Sequence, residues 1–352
     1  MSSSVKVEYY YSRGVYPVLS KLMRILFGWS SISMGDLFYS LAICFLGYRL
    51  VKFFRNWKVI IHQKRFLLVS FLQGTQILVC IWLVFQVMWG FNYYREGIDN
   101  QFNIKNKKPV LTQLDTLTAF LLTETNRFAP GRKSTASSMQ EATKKLQESY
   151  DSLALIHTFL RYEHASFKAS VFGVIGNYMG YGGYYNPFSG EAQINVQQPA
   201  FLLPFTGAHE VAHQLGYAKE SEANFIGYLA ASCSTDSSLR YAANLEMFLY
   251  SNNALYRKDS LAAKFFFENL SPIAKKDLKE YRKFLEKYEG PVDRLTTAFY
   301  TRFLRINNQP EGMGSYSRVV VWLWNYFDAK GVFTRKNQAA KQQMPSNSIS
   351  SN

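Results

Sequence analysis

The sequence predicts an α+β chain that is mostly α: two N-terminal membrane-crossing helices, then a domain with a small sheet and a helical C-terminal part. Three features predict this. Phe66 to Phe91 runs for twenty-six residues without a charge, which is longer than a soluble core helix needs. A-H-E-V-A-H-Q-L-G (208–216), followed by E-S-E-A-N (220–224), places metal-type donors on two short helices. Beyond residue 95, apolar residues recur mostly at helical spacing, and only 166–175 and 191–196 read as β-type runs.

At 352 residues the chain has room for one sizeable domain plus an anchor. A net charge of +15 invites a nucleic-acid reading. Between Met1 and Arg65, however, ten Lys/Arg stand against only Glu8 and Asp36. Over half of the excess therefore surrounds the apolar N-terminal segments, which fits membrane orientation better than phosphate binding. No nucleic-acid motif is present, so no nucleic-acid partner is expected. Cys44 and Cys80 lie in apolar runs and Cys233 stands alone, so there is neither a disulfide framework nor a C-x-x-C metal site.

In chain order, 1–94 reads as the membrane anchor. Met1 to Ser33 carries apolar residues at helical spacing with Lys21 and Arg24 opposite. It is either a helix lying in the membrane interface or a short buried helix. The first span is expected over about 37–54 and the second over 66–91, the latter about 39 Å long as a helix. Arg49, Lys52, Arg55, Lys58, Lys64 and Arg65 lie between or at the edges of the spans. The positive-inside rule makes that loop cytoplasmic and puts everything after Asn92 outside, as for a multi-pass protein of the cell inner membrane. The lipid bilayer is thus the first expected partner.

The 95–335 stretch reads as the extracytoplasmic domain. Arg95 to Pro109 is a linker; Leu111 to Phe128 and Ser138 to Arg161 are helical. Ser166 to Ile175 suggests a strand, Gly176 to Gly190 a glycine- and tyrosine-rich loop, and Glu191 to Val196 a second strand. Helices follow over 239–256, 260–267, 272–288, 292–304 and 319–327, with a loop at 306–317. The last stretch, 336–352, is rich in Gln, Ser and Asn and is expected to be disordered.

The chemistry centres on 208–231. His209 and His213 are one helical turn apart and share a face, as two ligands on one Zn²⁺ require. Glu210 lies beside that face, where it can deprotonate a water without coordinating. Gly216 ends this helix. On the next one, Glu220 and Asn224 are i,i+4, so a glutamate ligand is followed one turn later by a polar group able to support a ligating histidine. Glu222 points about 160° away from Asn224 and is the second choice for third ligand. The expected cofactor is one Zn²⁺ per chain.

H-E-x-x-H followed by E-x-x-A-N resembles the glutamate-type zinc peptidases, the gluzincins. The chain also resembles a family of bacterial membrane proteins of unknown function placed in the zinc-peptidase-like superfamily. That likeness runs from about Tyr9 to Phe327 and includes G-V-Y-P (14–17), G-D-L-F-Y (35–39), W-G-F-N-Y-Y-R (89–95), Y-N-P-F-S-G-E-A-Q-I-N (185–195) and G-S-Y-S-R (314–318). The resemblance implies a zincin-like domain and a membrane-anchored zinc metallopeptidase with Glu210 as general base and a peptide or protein as substrate. It departs from the better-known members in having asparagine at 224 and only seven positions between His213 and Glu220.

In zincins the strand before the metal helix is an edge that pairs with an extended peptide. Glu191 to Val196 is expected in that role, with Asn195 as a substrate contact. Tyr316, Tyr241 and His164 are candidate oxyanion donors, whereas His62 and His157 read as surface or core histidines. A zinc-stabilised, non-catalytic envelope scaffold or assembly factor, and a hydrolase of a non-peptide amide, are the alternative readings.

Overall fold

The computed structural model describes residues 3–57, 64–133, 138–309 and 318–333. The chain begins as helix. α1 (Ser3–Lys6) passes through a π-helical stretch (Val7–Val15) into α2 (Tyr16–Gly28). Glu8, Ser12, Tyr16, Ser20 and Arg24 recur every four residues, and all are buried. The opposite face is apolar and exposed, with Val18 at 70% and Trp29 at 81%. A helix on a water-soluble protein has the reverse polarity. Here the polar stripe faces protein and the apolar stripe faces outward.

Among the described residues, α3 (Met34–Arg55) and α4 (Lys64–Met88) are the two helices long and apolar enough to cross a membrane. At 1.5 Å per residue they reach about 33 and 38 Å, beyond the roughly 30 Å of a hydrocarbon core. Their apolar side chains face outward, and the chain is membrane-associated. α4 stops three residues before the sequence-based limit, because Trp89 leaves the helical region and Gly90–Tyr94 tightens into a 3₁₀ turn.

The expected 95–109 linker holds a short helix, α5 (Ile98–Phe102), and it is tied down at its start. Arg95 is buried, donates to Glu8 at 2.9 and 3.0 Å, and lies over the Tyr217 ring. α6 (Leu111–Phe128) and α7 (Met139–Ala154) follow. The sheet has three short strands, β1 (Phe167–Ala169), β2 (Gly183–Asn186) and β3 (Glu191–Ile194), in the order β1-β3-β2. β1 pairs parallel with β3, Phe167 opposite Ala192, and β2 pairs antiparallel, Gly183 opposite Ile194.

Two sequence-based expectations fail in this region. Of the expected 166–175 strand only β1, Phe167–Ala169, is strand; V-F-G-V-I turns at Val171 and Phe172 into a helix, α8 (Gly173–Met179), and the supposed 176–190 loop contains the end of α8 and all of β2. β-branched residues suit strands only weakly; here Val174 and Ile175 sit on an exposed helix face. β3 is the central strand, flanked on both sides, so it cannot be the peptide-pairing edge.

The metal-motif helix is α9 (Leu203–Gln214), followed by α10 (Glu220–Cys233). Then come α11 (Ser237–Tyr256), α12 (Ser260–Glu268), α13 (Pro272–Tyr288), α14 (Pro291–Ile306) and α15 (Arg318–Ala329), close to the spacing-based limits. Asp236, Asp259 and Ser271 cap α11, α12 and α13 through their side chains, satisfying amides the helices leave open. The core gathers Leu117 and Leu121 of α6, Tyr150 of α7, Val211 of α9, Phe225 of α10, Phe248 of α11 and Leu323 of α15.

The anchor and the sheet are joined by buried polar bonds. Glu191 opens β3 and is fully buried. It accepts from Lys168 Nζ at 2.5 Å and from the amides of Met34 and Gly35 at 3.1 and 2.6 Å, at the start of α3. A carboxylate is favoured at a helix N-terminus. Asp36, one turn into the span, accepts from the Val171 amide at 2.6 Å and from the Tyr184 hydroxyl.

Candidate metal centre

The centre is assembled by the way α9 ends. Gly216 adopts φ +87°, a conformation L side chains avoid. Its amide donates to His213 O at 2.8 Å and the Tyr217 amide to Ala212 O at 3.2 Å, the paired bonds of a Schellman cap. This turn brings the Tyr217 carbonyl back to the His213 ring, where it accepts from Nδ1 at 2.6 Å. A carbonyl only accepts, so Nδ1 carries the proton and Nε2 presents its lone pair to the site. The N-terminal helix completes the cap: Tyr16 and Ser20 donate to Gln214 O at 3.0 and 2.8 Å.

His209 is oriented in the same way by a different partner. Its Nδ1 lies 2.8 Å from Asn224 Oδ1, one turn beyond Glu220 on α10. Asn224 thus stands against the His209 ring, one turn beyond Glu220. The two imidazoles lie perpendicular, centroids 4.7 Å apart. Glu220 Oε2 sits 3.2 Å from His209 Nε2 and 3.8 Å from His213 Nε2. All three donor atoms lie within 4.8 Å of one another, and no other such group of His, Cys, Asp and Glu is found among the described residues.

This donor set fits a divalent ion on electrostatic grounds. Two Nε2 lone pairs and a carboxylate oxygen face one another with no hydrogen-bond donor between them. Only a cation, a proton or a metal, relieves that repulsion. Burial alone would raise the Glu220 carboxyl, but with a proton in that gap the hydrogen bonds and charge of His209 and His213 outweigh it and hold the carboxyl well below the ordinary value. Glu222 is turned away, with Oε1 3.2 Å from Lys219 Nζ, and does not join the group.

Glu210 lies beside the three. Burial pushes its carboxyl up to about 8, with His209 pulling it down and Glu220 pushing it up. Its Oε2 is buried without a hydrogen-bond partner. A Cβ on Gly183 would come within 2.9 Å of Glu210 Cγ and Oε1, so β2, an edge strand, runs directly along this carboxylate.

Three other candidates lie elsewhere. Tyr241 is fully buried and its hydroxyl donates to Asp277 Oδ2 at 2.7 Å, so it serves the α11–α13 contact. Asn195 is also buried; it donates to Gly173 O at 2.9 Å and Asn177 Oδ1 at 2.6 Å, fastening β3 to α8 rather than meeting a ligand. His164 is exposed in a loop at φ +53°. Tyr316, His62 and the 336–352 tail lie outside the described residues. His157 is half-buried, 3.1 Å from Tyr326 Oη, a core histidine as expected.

The phenol the fold delivers is Tyr300 on α14, whose hydroxyl donates to Glu220 Oε1. Trp89, at the end of α4, packs against the His213 ring at 5.9 Å. On α11, burial raises the Glu246 carboxyl, opposed by the Tyr250 hydroxyl and by the charge of His209. Nothing local marked these residues among the twenty-four tyrosines. Only W-G-F-N-Y-Y-R, singled out as a motif, carried a signal.

A family model described as "Protein of unknown function (DUF3810)" matches residues 11–324. No curated protein and no solved structure matches the chain.

Proposed function

The chain belongs to that family of unknown function, and from the geometry of its site we propose that it is a membrane-anchored, zinc-dependent peptidase of the gluzincin type acting outside the cytoplasm. One observation carries the reading: two imidazole Nε2 atoms and a Glu220 oxygen converge, with the buried, half-unpartnered Glu210 carboxylate alongside.

His209, His213 and Glu220 hold the ion. A zinc ion there supplies a Lewis acid that polarises the scissile carbonyl and makes water acidic enough to attack near neutral pH. Glu210 takes the proton of the attacking water and returns it to the leaving amine. Asn224 and the Tyr217 carbonyl keep both imidazoles in the required tautomer. Tyr300 is the hydroxyl within reach of charge developing on the carbonyl oxygen. The free edge of β2, beside Glu210, is where an extended peptide pairs. The Lys/Arg cluster from Arg49 to Arg65 sets the orientation, keeping its loop in the cytoplasm.

The test is Glu210→Gln in the full chain, with zinc content measured beside cleavage of a quenched-fluorescence peptide library. One zinc per chain is expected in both proteins, with cleavage lowered by about 10²- to 10⁴-fold. Cleavage by the variant at the parental rate refutes the mechanism.

A further inference from the structure

α14, whose Tyr300 meets Glu220, and α8, which packs on α14, are both fastened to the ends of the membrane spans, and both turn apolar stripes outward. α8 hangs from the start of α3. The amide of Val171, just before α8, donates to Asp36 in the first turn of that span. Val171, Val174, Ile175 and Tyr178 follow i, i+3, i+4, i+7 spacing and are exposed, Val171 at 67%. α14 abuts the end of α4. Phe303 packs on Phe85 and Tyr93 at 6.4 and 6.2 Å, while Tyr300, three residues earlier, reaches Glu220. The outer face of α14 carries Val292, Leu295, Phe299 and Ile306, with Leu295 at 73% and Phe299 at 72% exposed. Phe299 is four residues from Phe303, about 6 Å along the helix axis from the level of the span's last turns.

α8 and α14 also meet each other. Tyr178 packs edge-on against Tyr288, just before α14, at 5.1 Å, and Gly180 lies against Asp293. The cleft beside them is lined by Asn177, Tyr181, Gln198, Tyr281, Tyr288 and Asp293. Burial, and secondarily the Glu246 carboxylate, push the hydroxyl of its Tyr281 up to about 12. Arg294, Arg302 and Arg305 are exposed on α14 beside its apolar stripe, where they can reach anionic headgroups while the stripe sits deeper. The outward apolar face of α2 continues the same belt, since Phe27 at its end packs on Phe38 of α3. Exposed apolar stripes on one isolated helix would be ambiguous. Stripes on α2, α8 and α14, all rooted at span ends, fit one occupant, the bilayer.

We propose that α8 and α14 are lips inserted into the headgroup region, that the His209–His213–Glu220 cleft opens at the bilayer surface, and that its substrate is a peptide tethered to the same membrane. A tethered chain reaches the free edge of β2 from the lipid side, at the high effective concentration that confinement to one surface gives. A freely diffusing peptide lacks both advantages. The substrate class rests on the peptidase reading; the insertion of the lips does not.

The test uses the full chain in nanodiscs, with Cys44, Cys80 and Cys233 replaced by alanine. A fluorophore is placed at Phe299→Cys, at Ile175→Cys, or at Lys144→Cys on the charged face of α7. Nitroxide-labelled lipid is expected to quench the first two several-fold more than the third, and a water-soluble quencher the reverse. Aqueous quenching of Phe299→Cys and Ile175→Cys equal to that of Lys144→Cys overturns the insertion. A label shielded from both quenchers means that a second copy covers the face, which also overturns it.

For the substrate class, one peptide is offered free and lipid-tethered in the same bilayer. The double variant Leu295→Asp, Phe299→Asp is expected to keep its zinc and to lower the tethered-to-free cleavage ratio at least about ten-fold. An unchanged ratio overturns the substrate class. If the parent cleaves neither peptide, the peptidase reading fails and takes the substrate class with it, while the quenching result still decides the lips.

Discussion

Replacing Asn224 with alanine should weaken zinc binding by about 10- to 100-fold without unfolding the protein. Asn224 is buried, and its Oδ1 accepts from His209 Nδ1 at 2.8 Å. Alanine removes the acceptor and leaves the imidazole N–H facing an apolar gap. An unsatisfied buried donor costs about 1–3 kcal/mol. The ring escapes part of that cost by rotating, but the rotation withdraws Nε2 from the site. Either way the loss is charged to the metal-bound state, and about 1.4 kcal/mol corresponds to ten-fold in affinity. Both routes therefore give one to two decades. The assay is competition for zinc with a chromophoric chelator, on detergent-solubilised full chain at fixed pH. Two controls bracket it. Asn224→Asp should keep or tighten binding, because a carboxylate is a stronger acceptor and raises the basicity of the ligand. Glu222→Ala should leave affinity within a factor of about three, because Glu222 pairs with Lys219 outside the donor set. If Asn224→Ala binds zinc as tightly as the parent, the orientation argument for His209 is wrong. If Glu222→Ala loses the metal instead, the assignment of Glu220 is wrong.

The metal-stripped protein should lose stability as pH rises from about 4.5 to about 8 through Glu210, whose carboxyl is raised by burial: the unfolded chain releases this proton first, so the contribution is complete at low pH and gone above the folded pKa. Melting curves of the parent minus those of Glu210→Gln across pH 5–8 should show that slope, and a flat difference would refute the burial argument. Substituting Arg95 by methionine should cost less than the roughly 3–5 kcal/mol of a fully uncompensated buried charge, because Glu8 then keeps only the half-exposed Arg13 at 2.8 Å. Adding Glu8→Gln should recover part of the loss, and equal melting temperatures for the single variant and the parent would contradict the contact. Gly216→Ala should cost at least about 1–2 kcal/mol from its φ of +87° alone. The added methyl also meets Tyr16 Cε1 at 2.9 Å, so zinc affinity should fall together with melting temperature as the cap of α9 is pushed open.

The charge-free run of α4, the helix limits from Ser237 onward and the placement of Asn224 one turn beyond Glu220 were legible because each depends on residues within a few turns of one another. Periodicity and i,i+4 geometry are local properties, and a linear sequence displays them directly. The V-F-G-V-I run misled for the same reason. Its β-type composition describes side chains that suit an apolar surface, and the surface available was the outside of a helix. The motifs G-V-Y-P, G-D-L-F-Y and Y-N-P-F-S-G-E-A-Q-I-N were visible as motifs, but their work was not. In the fold they cap the metal helix through Tyr16 and stitch the first span to the sheet through Asp36 and Glu191.

By itself, then, the sequence determined that two helices suit a membrane and that His209, Glu210, His213 and a following glutamate lie on adjacent helices. Tertiary structure alone decided that the glutamate meeting the two histidines is Glu220, that β3 is central and β2 the edge, and that the phenol beside this group comes from Tyr300, eighty residues along the chain from Glu220. It also turned the polar stripe of α2 inward. The physical reason is that these outcomes depend on which surfaces are buried against which. That is settled by contacts between residues far apart in sequence, where neither spacing nor composition carries a signal.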